Sequence, residues 1–252
     1  MQIFTKAIVR RPGKNFADGI TTSNLGKPLF DIALQQHNAY CNALIKCGLD
    51  VTILEADERY PDGCFVEDTA IVTEKVAIIA KPGDKARLGE EEKIAKILSE
   101  YRSVETITLP AQLDGGDIMR VENHFYIGMS KRTNQEGANQ LAKILSKYGY
   151  TSSQLPVKTV LHLKTGITYL GNNNFIANEE FANCFPKAST IKLSEDESYS
   201  ANCLKINNHL LIPKGFPKSK KQIEDLGYNI IEVEMSEFRK MDGGLTCLSL
   251  LF

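Results

Sequence analysis

The run Leu-Asp-Gly-Gly-Asp (113–117), Ile-Met-Arg-Val (118–121) and His-Phe-Tyr-Ile-Gly (124–128) reads as a turn followed by a hairpin. The paired glycines let the backbone turn where a Cβ would forbid it, and they leave room for a close approach. Just beyond, Ala138, Leu141, Ile144, Leu145 and Tyr148 recur at helical spacing, which predicts a helix over 134–148. Turn, two short strands, helix, next strand is one supersecondary unit, and the same order recurs along the chain. Upstream, Pro-Asp-Gly-Cys-Phe-Val-Glu-Asp (61–68) leads into strands at 69–73 and 76–80, joined at Glu74-Lys75. A helix with Ile94, Ile97, Leu98 and Tyr101 and a strand at 106–109 follow.

Downstream, strands are expected at 157–163, 167–170 and 174–177, with a short helix near 178–184. A further round has strands at 191–193, 204–206 and 209–213 and a helix at 218–226, with Ser-Tyr-Ser-Ala-Asn-Cys (198–203) inside it. The chain starts with a strand over 2–9 and an aperiodic segment over 11–28, a length that in a compact domain usually serves function. Leu29, Ile32, Ala33, Tyr40, Leu44 and Cys47 then mark one face of a helix over 29–47, with Gly48 as its cap and a strand at 51–54. A last strand at 229–233 leads to Met-Asp-Gly-Gly-Leu-Thr-Cys (241–247).

Asp62, Asp114, His162, Asn202 and Asp242 fall 52, 48, 40 and 40 residues apart at corresponding places in these units. Such a period suggests a closed radial α/β array rather than a doubly wound sheet. Closure removes exposed strand edges and brings the turns together at a centre. No linker or break in composition divides residues 1–252, which are read as a single domain.

Composition narrows the function. Of the 252 residues 42% are hydrophobic and 24% charged, as in ordinary globular proteins, and the formal net charge is −1. That balance calls for neither nucleic acid nor an anionic membrane as partner. No apolar run approaches the ~18 residues of a membrane-spanning helix, and the N-terminus lacks a signal-peptide pattern. The six cysteines are scattered without metal spacing, which points to free thiols and a cytoplasmic location.

Cys247 follows a Gly-Gly step and is read as a nucleophile projecting into a cleft. Asp62, Glu67, Asp68, Asp114 and Asp117 all lie at turns beside glycine. Singly, such aspartates bond their own backbone. Together at one centre they need a cation, and a planar guanidinium suits them. His162, in the apolar stretch Val-Leu-His-Leu-Lys, is either a core residue or the acid/base partner of the thiol. Arg87 and Arg132, taken alone, read as solvated surface residues, although two arginines can clamp a carboxylate. The other five cysteines are read as packing residues, with Cys64 notable for its acidic neighbours.

Phe-Val-Glu-Asp (65–68), Leu-Asp-Gly-Gly-Asp (113–117), Ser-Lys-Arg-Thr-Asn (130–134), Leu-His-Leu-Lys (161–164), Ala-Asn-Cys (201–203) and Asp-Gly-Gly-Leu-Thr-Cys (242–247) occur in an order and spacing that resemble the dimethylarginine dimethylaminohydrolases, short bacterial type. The resemblance implies the pentein fold, a five-bladed α/β propeller of pseudo-fivefold ββαβ modules. It implies hydrolysis of Nω-methylated arginine to citrulline and an amine through a covalent thiouronium, with no metal or organic cofactor. Cys247 would be the nucleophile, His162 the acid and base, and Asp114 the residue orienting His162. Glu67 and Asp68 would bind the guanidinium, and Arg87 and Arg132 the α-carboxylate. Asp62 and the backbone at Ile20 and Met241 would meet the α-amine, making 11–28 a lid. The partner is a small guanidine, and a homodimer stays open. An arginine deiminase releasing ammonia, a non-catalytic arginine-binding pentein and a redox-sensing thiol protein are the alternatives.

Overall fold

Each of five three-stranded sheets is built to one rule: its middle strand runs antiparallel to one neighbour and parallel to the other. The structure is a computed structural model that describes residues 3–252. The first blade contains β1 (Lys6–Arg10) and β2 (Asp50–Leu54), joined by the helix α1 (Phe30–Lys46). The second has β3 (Ala70–Val72), β4 (Ala77–Ile79), α2 (Glu90–Leu98) and β5 (Val104–Thr106). The third has β6 (Ile118–Val121), β7 (His124–Met129), α3 (Gln135–Lys147) and β8 (Thr151–Pro156). A one-turn helix, α4 (Leu163–Gly166), opens the fourth, with β9 (Ile167–Gly171), β10 (Asn174–Ala177) and β11 (Ser189–Lys192). The fifth has β12 (Leu204–Ile206), β13 (His209–Pro213), α5 (Pro217–Asp225) and β14 (Asn229–Val233).

After a short helix, α6 (Ser236–Arg239), the chain returns to the first blade. There β15 (Leu250–Leu251) pairs antiparallel with β1, Ala7 opposite Leu251 and Ile8 opposite Leu250. The two ends of the chain thus share one sheet, and the backbone carbonyl of Phe252 accepts from the N–H groups of Thr5 and Lys6. The last strand thus completes the first blade from within the chain.

The middle strands β1, β4, β10 and β13 are buried on both faces along nearly their whole length, with Ala77, Ile78 and Ile79 of β4 inaccessible and β13 buried from Leu210 to Pro213, whereas β7 has half-buried residues among its buried ones. Strands buried in this way read as continuous apolar runs, which is why the hairpins are visible in the sequence. The third strands β2, β5 and β8 are half exposed, so polar residues interrupt or replace their apolar ones. Accordingly β8, Thr-Ser-Ser-Gln-Leu-Pro, carries no apolar signal. The expected strand at 157–163 is instead a loop ending in α4, and β8 takes the preceding residues. The strand expected at 106–109 lies two residues earlier, since Leu109 is solvent-exposed in a turn. The helix expected near 178–184 is a series of turns, with Phe181 buried against Gly166. In α1 the face formed by Ala33, Tyr40 and Leu44 is buried, but Leu29 and Ile32 are exposed. Gly48 caps the helix in the left-handed conformation, as expected.

A short helical turn precedes the first strand of every blade: Val66–Thr69, Gly115–Asp117, α4, Glu195–Ala201 and Thr246–Leu248. Contacts join Val66–Thr69 to Gly115–Asp117 and to Thr246–Leu248, and α4 to Gly115–Asp117 and to Glu195–Ala201. The turns that the repeat predicts at a common centre therefore meet there.

Candidate active site

Cys247 lies in the turn Thr246–Leu248, and its Sγ accepts the N–H of Gly244 at 3.3 Å. Burial raises its pKa to about 12, helped by the negative charges of Glu67 and Asp68. The resting thiol is therefore protonated. His162, at the start of α4, presents Nε2 to Asp114 Oδ2 at 3.0 Å. Burial works against the imidazolium, but Asp68, Asp114 and Asp117 outweigh it and hold the pKa at about 9. Asp114 is fully buried, and its other oxygen accepts the N–H of Gly83 at 2.8 Å.

Asp68 binds Arg87 Nη1 at 2.5 Å through Oδ2 and accepts the N–H of Gly116 at 2.9 Å through Oδ1. Burial would raise its pKa, but His162 and Arg87 prevail and set it at about 2. Arg87 is also clasped by Glu90, through Nε and Nη2, and donates to the carbonyl of Phe65. One N–H of Nη1 is left by these bonds. Arg132 stands more freely, its Nη1 3.5 Å from Asp84.

Both Gly-Gly pairs are required by what packs on them. A Cβ at Gly115 would lie 2.0 Å from the carbonyl oxygen of Glu67, and one at Gly116 2.7 Å from His162 Nδ1. A Cβ at Gly243 would enter the Phe65 ring, and one at Gly244 the Asn202 carboxamide. The left-handed residue of the last turn is Asp242, at φ 57°. The room expected at these glycines for a ligand is taken largely by neighbouring blades.

Over the site runs the segment 11–28. Phe16 is fully buried, with ring centroids 5.9 Å from Phe65 and 5.4 Å from Phe238. The Ile20 N–H donates to both oxygens of Asp62, at 3.2 and 3.0 Å. Asp242 Oδ2 gathers the Thr22 N–H at 2.6 Å, the Thr22 hydroxyl at 2.9 Å and the Thr21 hydroxyl at 3.3 Å. A single cavity is lined by Ile20, Asp62, Asp68, Arg87, Arg132, His162, Met241 and Cys247, along with Phe65, Leu161, Asp242 and Gly243. Such a site has a weak nucleophile, a cationic acid and a buried anion in one small space.

The family model for eukaryotic N,N dimethylarginine dimethylhydrolase matches residues 22–244. Pseudomonas aeruginosa N(G),N(G)-dimethylarginine dimethylaminohydrolase is 46% identical, over 99% of this chain and 100% of its own. The Streptomyces coelicolor enzyme of the same name is 33% identical over 97% and 95%. The chain belongs to the dimethylarginine dimethylaminohydrolase family. A crystal structure of the Pseudomonas aeruginosa member, a cysteine-to-serine variant complexed with citrulline, superposes with a TM-score of 0.98 at 45% identity, each chain fully covered. The N-terminal domain of ArgZ, a cyanobacterial arginine dihydrolase, shares the fold with a TM-score of 0.88 at 16% identity, covering 99% and 97%. The closed radial array expected from the repeat, and the five-bladed α/β pentein architecture implied by the resemblance, are thus the fold of this family member.

Of the ten residues to which the resemblance gives site roles, eight line this cavity. Asp114 sits behind His162. Glu67 faces the opposite side, a rear cavity that it lines with Lys164 and Thr246. Its oxygens are occupied by Lys164 Nζ at 2.5 Å and Thr246 Oγ1 at 2.8 Å, so it forms the floor beneath the thiol. Asp117, grouped with the cation-facing carboxylates in the sequence, is turned away: it accepts from Ser130, Thr133 and the N–H of Leu163. By holding Leu163 it fixes the chain next to His162. Glu90 stands in the charged stretch 83–93 at the start of α2, and nothing in the sequence ties it to Arg87. Lys164 ends the motif Leu-His-Leu-Lys, but its pairing with Glu67 spans 97 residues and leaves no local signature. Among the other cysteines, Cys41, Cys47, Cys64 and Cys203 are buried as expected, whereas Cys184 is exposed.

Proposed function

We propose that this chain hydrolyses Nω-methylated arginines to citrulline and an amine, with Cys247 as nucleophile and His162 as acid and then base. The observation that carries the assignment of roles is the pairing, in one cavity, of a thiol held neutral by burial and anions with an imidazole held cationic by three aspartates. A guanidinium entering beside Asp68 brings the missing positive charge next to Cys247. Its field favours the thiolate, whose proton leaves to solvent, so the substrate activates its own attacker. The thiolate adds to the guanidinium carbon. Protonated His162 gives its proton to the departing nitrogen, the C–N bond breaks, and a thiouronium is left on Cys247. Neutral His162 then takes a proton from water, the hydroxide adds to the same carbon, and collapse expels the thiolate and citrulline.

Asp114, bonded to Nε2, directs the other ring nitrogen to the substrate. Asp68 is the guanidinium ligand, and Glu67 adds its charge from the floor. Arg132 and the remaining N–H of Arg87 face the α-carboxylate, and Asp62 with the backbone at Ile20 and Met241 the α-amine. Segment 11–28 serves as a lid, supported by the Ile20–Asp62 and Thr22–Asp242 bonds over the cavity. No described helix is long and apolar enough to cross a membrane, and the six unpaired thiols suit a reducing compartment such as the cytoplasm.

The test is a pair of end-point assays with asymmetric dimethylarginine and with arginine, scoring citrulline and the released amine. Citrulline with dimethylamine from the first substrate, and little from the second, is expected. Faster ammonia release from arginine would move the enzyme to the deiminases.

A further inference from the structure

Asn202 takes no part in the chemistry of the thiol and imidazole, yet its carboxamide makes three hydrogen bonds near the centre. Asn202 closes the turn Glu195–Ala201 of the fifth blade and is buried. Its Nδ2 donates to the carbonyl of Lys164 at 2.9 Å and to the hydroxyl of Thr246 at 3.1 Å. Its Oδ1 accepts the N–H of Thr246 at 3.0 Å. The orientation of the carboxamide is not arbitrary, because a carbonyl demands the donor end and a peptide N–H the acceptor end.

These partners flank the two reacting side chains. Lys164 lies two residues beyond His162 in α4, and Thr246 immediately precedes Cys247. The same carboxamide occupies the space above Gly244, where a Cβ would come within 2.5 Å of its Cγ, and the Gly244 N–H is the donor to the sulfur. The hydroxyl of Thr246, fixed by Asn202, donates onward to Glu67 at 2.8 Å. Asn202 therefore ties the thiol turn, the imidazole turn and the acidic floor, which come from three different blades, through one rigid group.

We infer that Asn202 is a positioning residue for this reaction: it sets the approach of Cys247 Sγ relative to His162 and the guanidinium carbon without touching substrate. The inference rests on the hydrolase reading above. Misplacing reacting groups by about 1 Å costs on the order of 10²-fold in rate, while the groups proposed to hold the α-amine and α-carboxylate lie elsewhere in the cavity. The signature is a loss in kcat with KM retained.

The experiment compares wild type, Asn202→Ala and Asn202→Asp with asymmetric dimethylarginine, alongside alkylation of Cys247 by iodoacetamide and thermal melts. Asp keeps the size and the acceptor for Thr246 but cannot, when ionised, donate to Lys164, so it reads the tie even where Ala does not fold. Expected in each folded variant is a kcat lower by on the order of 10²-fold, KM within about threefold, and an intact cooperative melt. A folded variant with kcat within threefold of wild type overturns the inference, as does a rise in KM that accounts for the whole loss. Wild type inactive on the substrate would instead defeat the hydrolase reading. In that case iodoacetamide decides the inference: an unchanged rate and pH profile for Cys247 in the variants overturns it, and a displaced one supports it.

Discussion

Cys247 and His162 owe their protonation states to burial and nearby carboxylates, which act together on the thiol and against each other on the imidazole. Burial and two carboxylates hold the thiol's pKa at about 12, so thiolate is scarce in the free enzyme at neutral pH. Alkylation of Cys247 by neutral iodoacetamide should then rise with pH through 9 without a plateau; a plateau near pH 7 would contradict a protonated resting thiol. Cys247→Ser should abolish turnover with an unchanged melt, and an active serine variant would sink the nucleophile assignment. His162 is raised from 6.5 to about 9 in the fold, so its ionisation contributes stability that is complete below pH 6.5 and disappears as pH rises through 9. The melting-temperature gap between wild type and His162→Gln should narrow between pH 6 and 10. A gap that widened over that range would contradict the imidazolium. Asp68 behaves in the mirror sense: held at about 2, it stabilises above pH 3.8 and ceases to do so as pH falls through 2.

At the scale of elements, the segment 11–28 is fixed unevenly. Its base is pinned by Phe16 among aromatic rings, each such pair contributing about 0.5–1.5 kcal/mol beyond area burial. Its tip is held by exposed hydrogen bonds, three to the Asp242 carboxylate and one from Thr21 to the Lys240 carbonyl. Asp242→Gly retains a residue able to hold φ 57° and removes only the carboxylate. We expect about a fivefold rise in KM, a cost near 1 kcal/mol, faster proteolysis within residues 21–27, and an unchanged melting temperature. Unchanged KM and proteolysis would remove Asp242 from lid closure. The strands teach a related lesson. Middle strands such as Ala77–Ile79 are covered on both faces and announce themselves by apolarity. A third strand such as β8 is exposed, and its polar sequence reads as loop until a neighbour pairs with it.

The whole molecule is a ring that one short strand shuts. Leu250 and Phe252 are buried, and β15 carries the only antiparallel partner of β1 among the described residues. Burying two such side chains is worth about 1.5–3 kcal/mol each. At about 2–4 °C per kcal/mol for a chain of this size, deletion of residues 250–252 should lower the melting temperature by on the order of 10 °C. A melt unchanged by that deletion would show that closure adds nothing.

The sequence by itself determined the repeat, the hairpins, the main helices and the residues that carry reactive groups, because each of these leaves a local trace: two-faced apolar runs, helical spacing, glycine pairs beside acids and a lone cysteine after a turn. Tertiary structure alone decided the rest. Glu67 became a floor residue once Lys164 reached it, Asp117 a support for Leu163, Glu90 the clasp of Arg87, and Asn202 the tie between two turns. Apart from the Glu90–Arg87 clasp, those contacts join residues 38 to 97 positions apart. A carboxylate or carboxamide offers the same atoms to any partner, so its role is set only when closure of the ring chooses which partner stands within 3 Å.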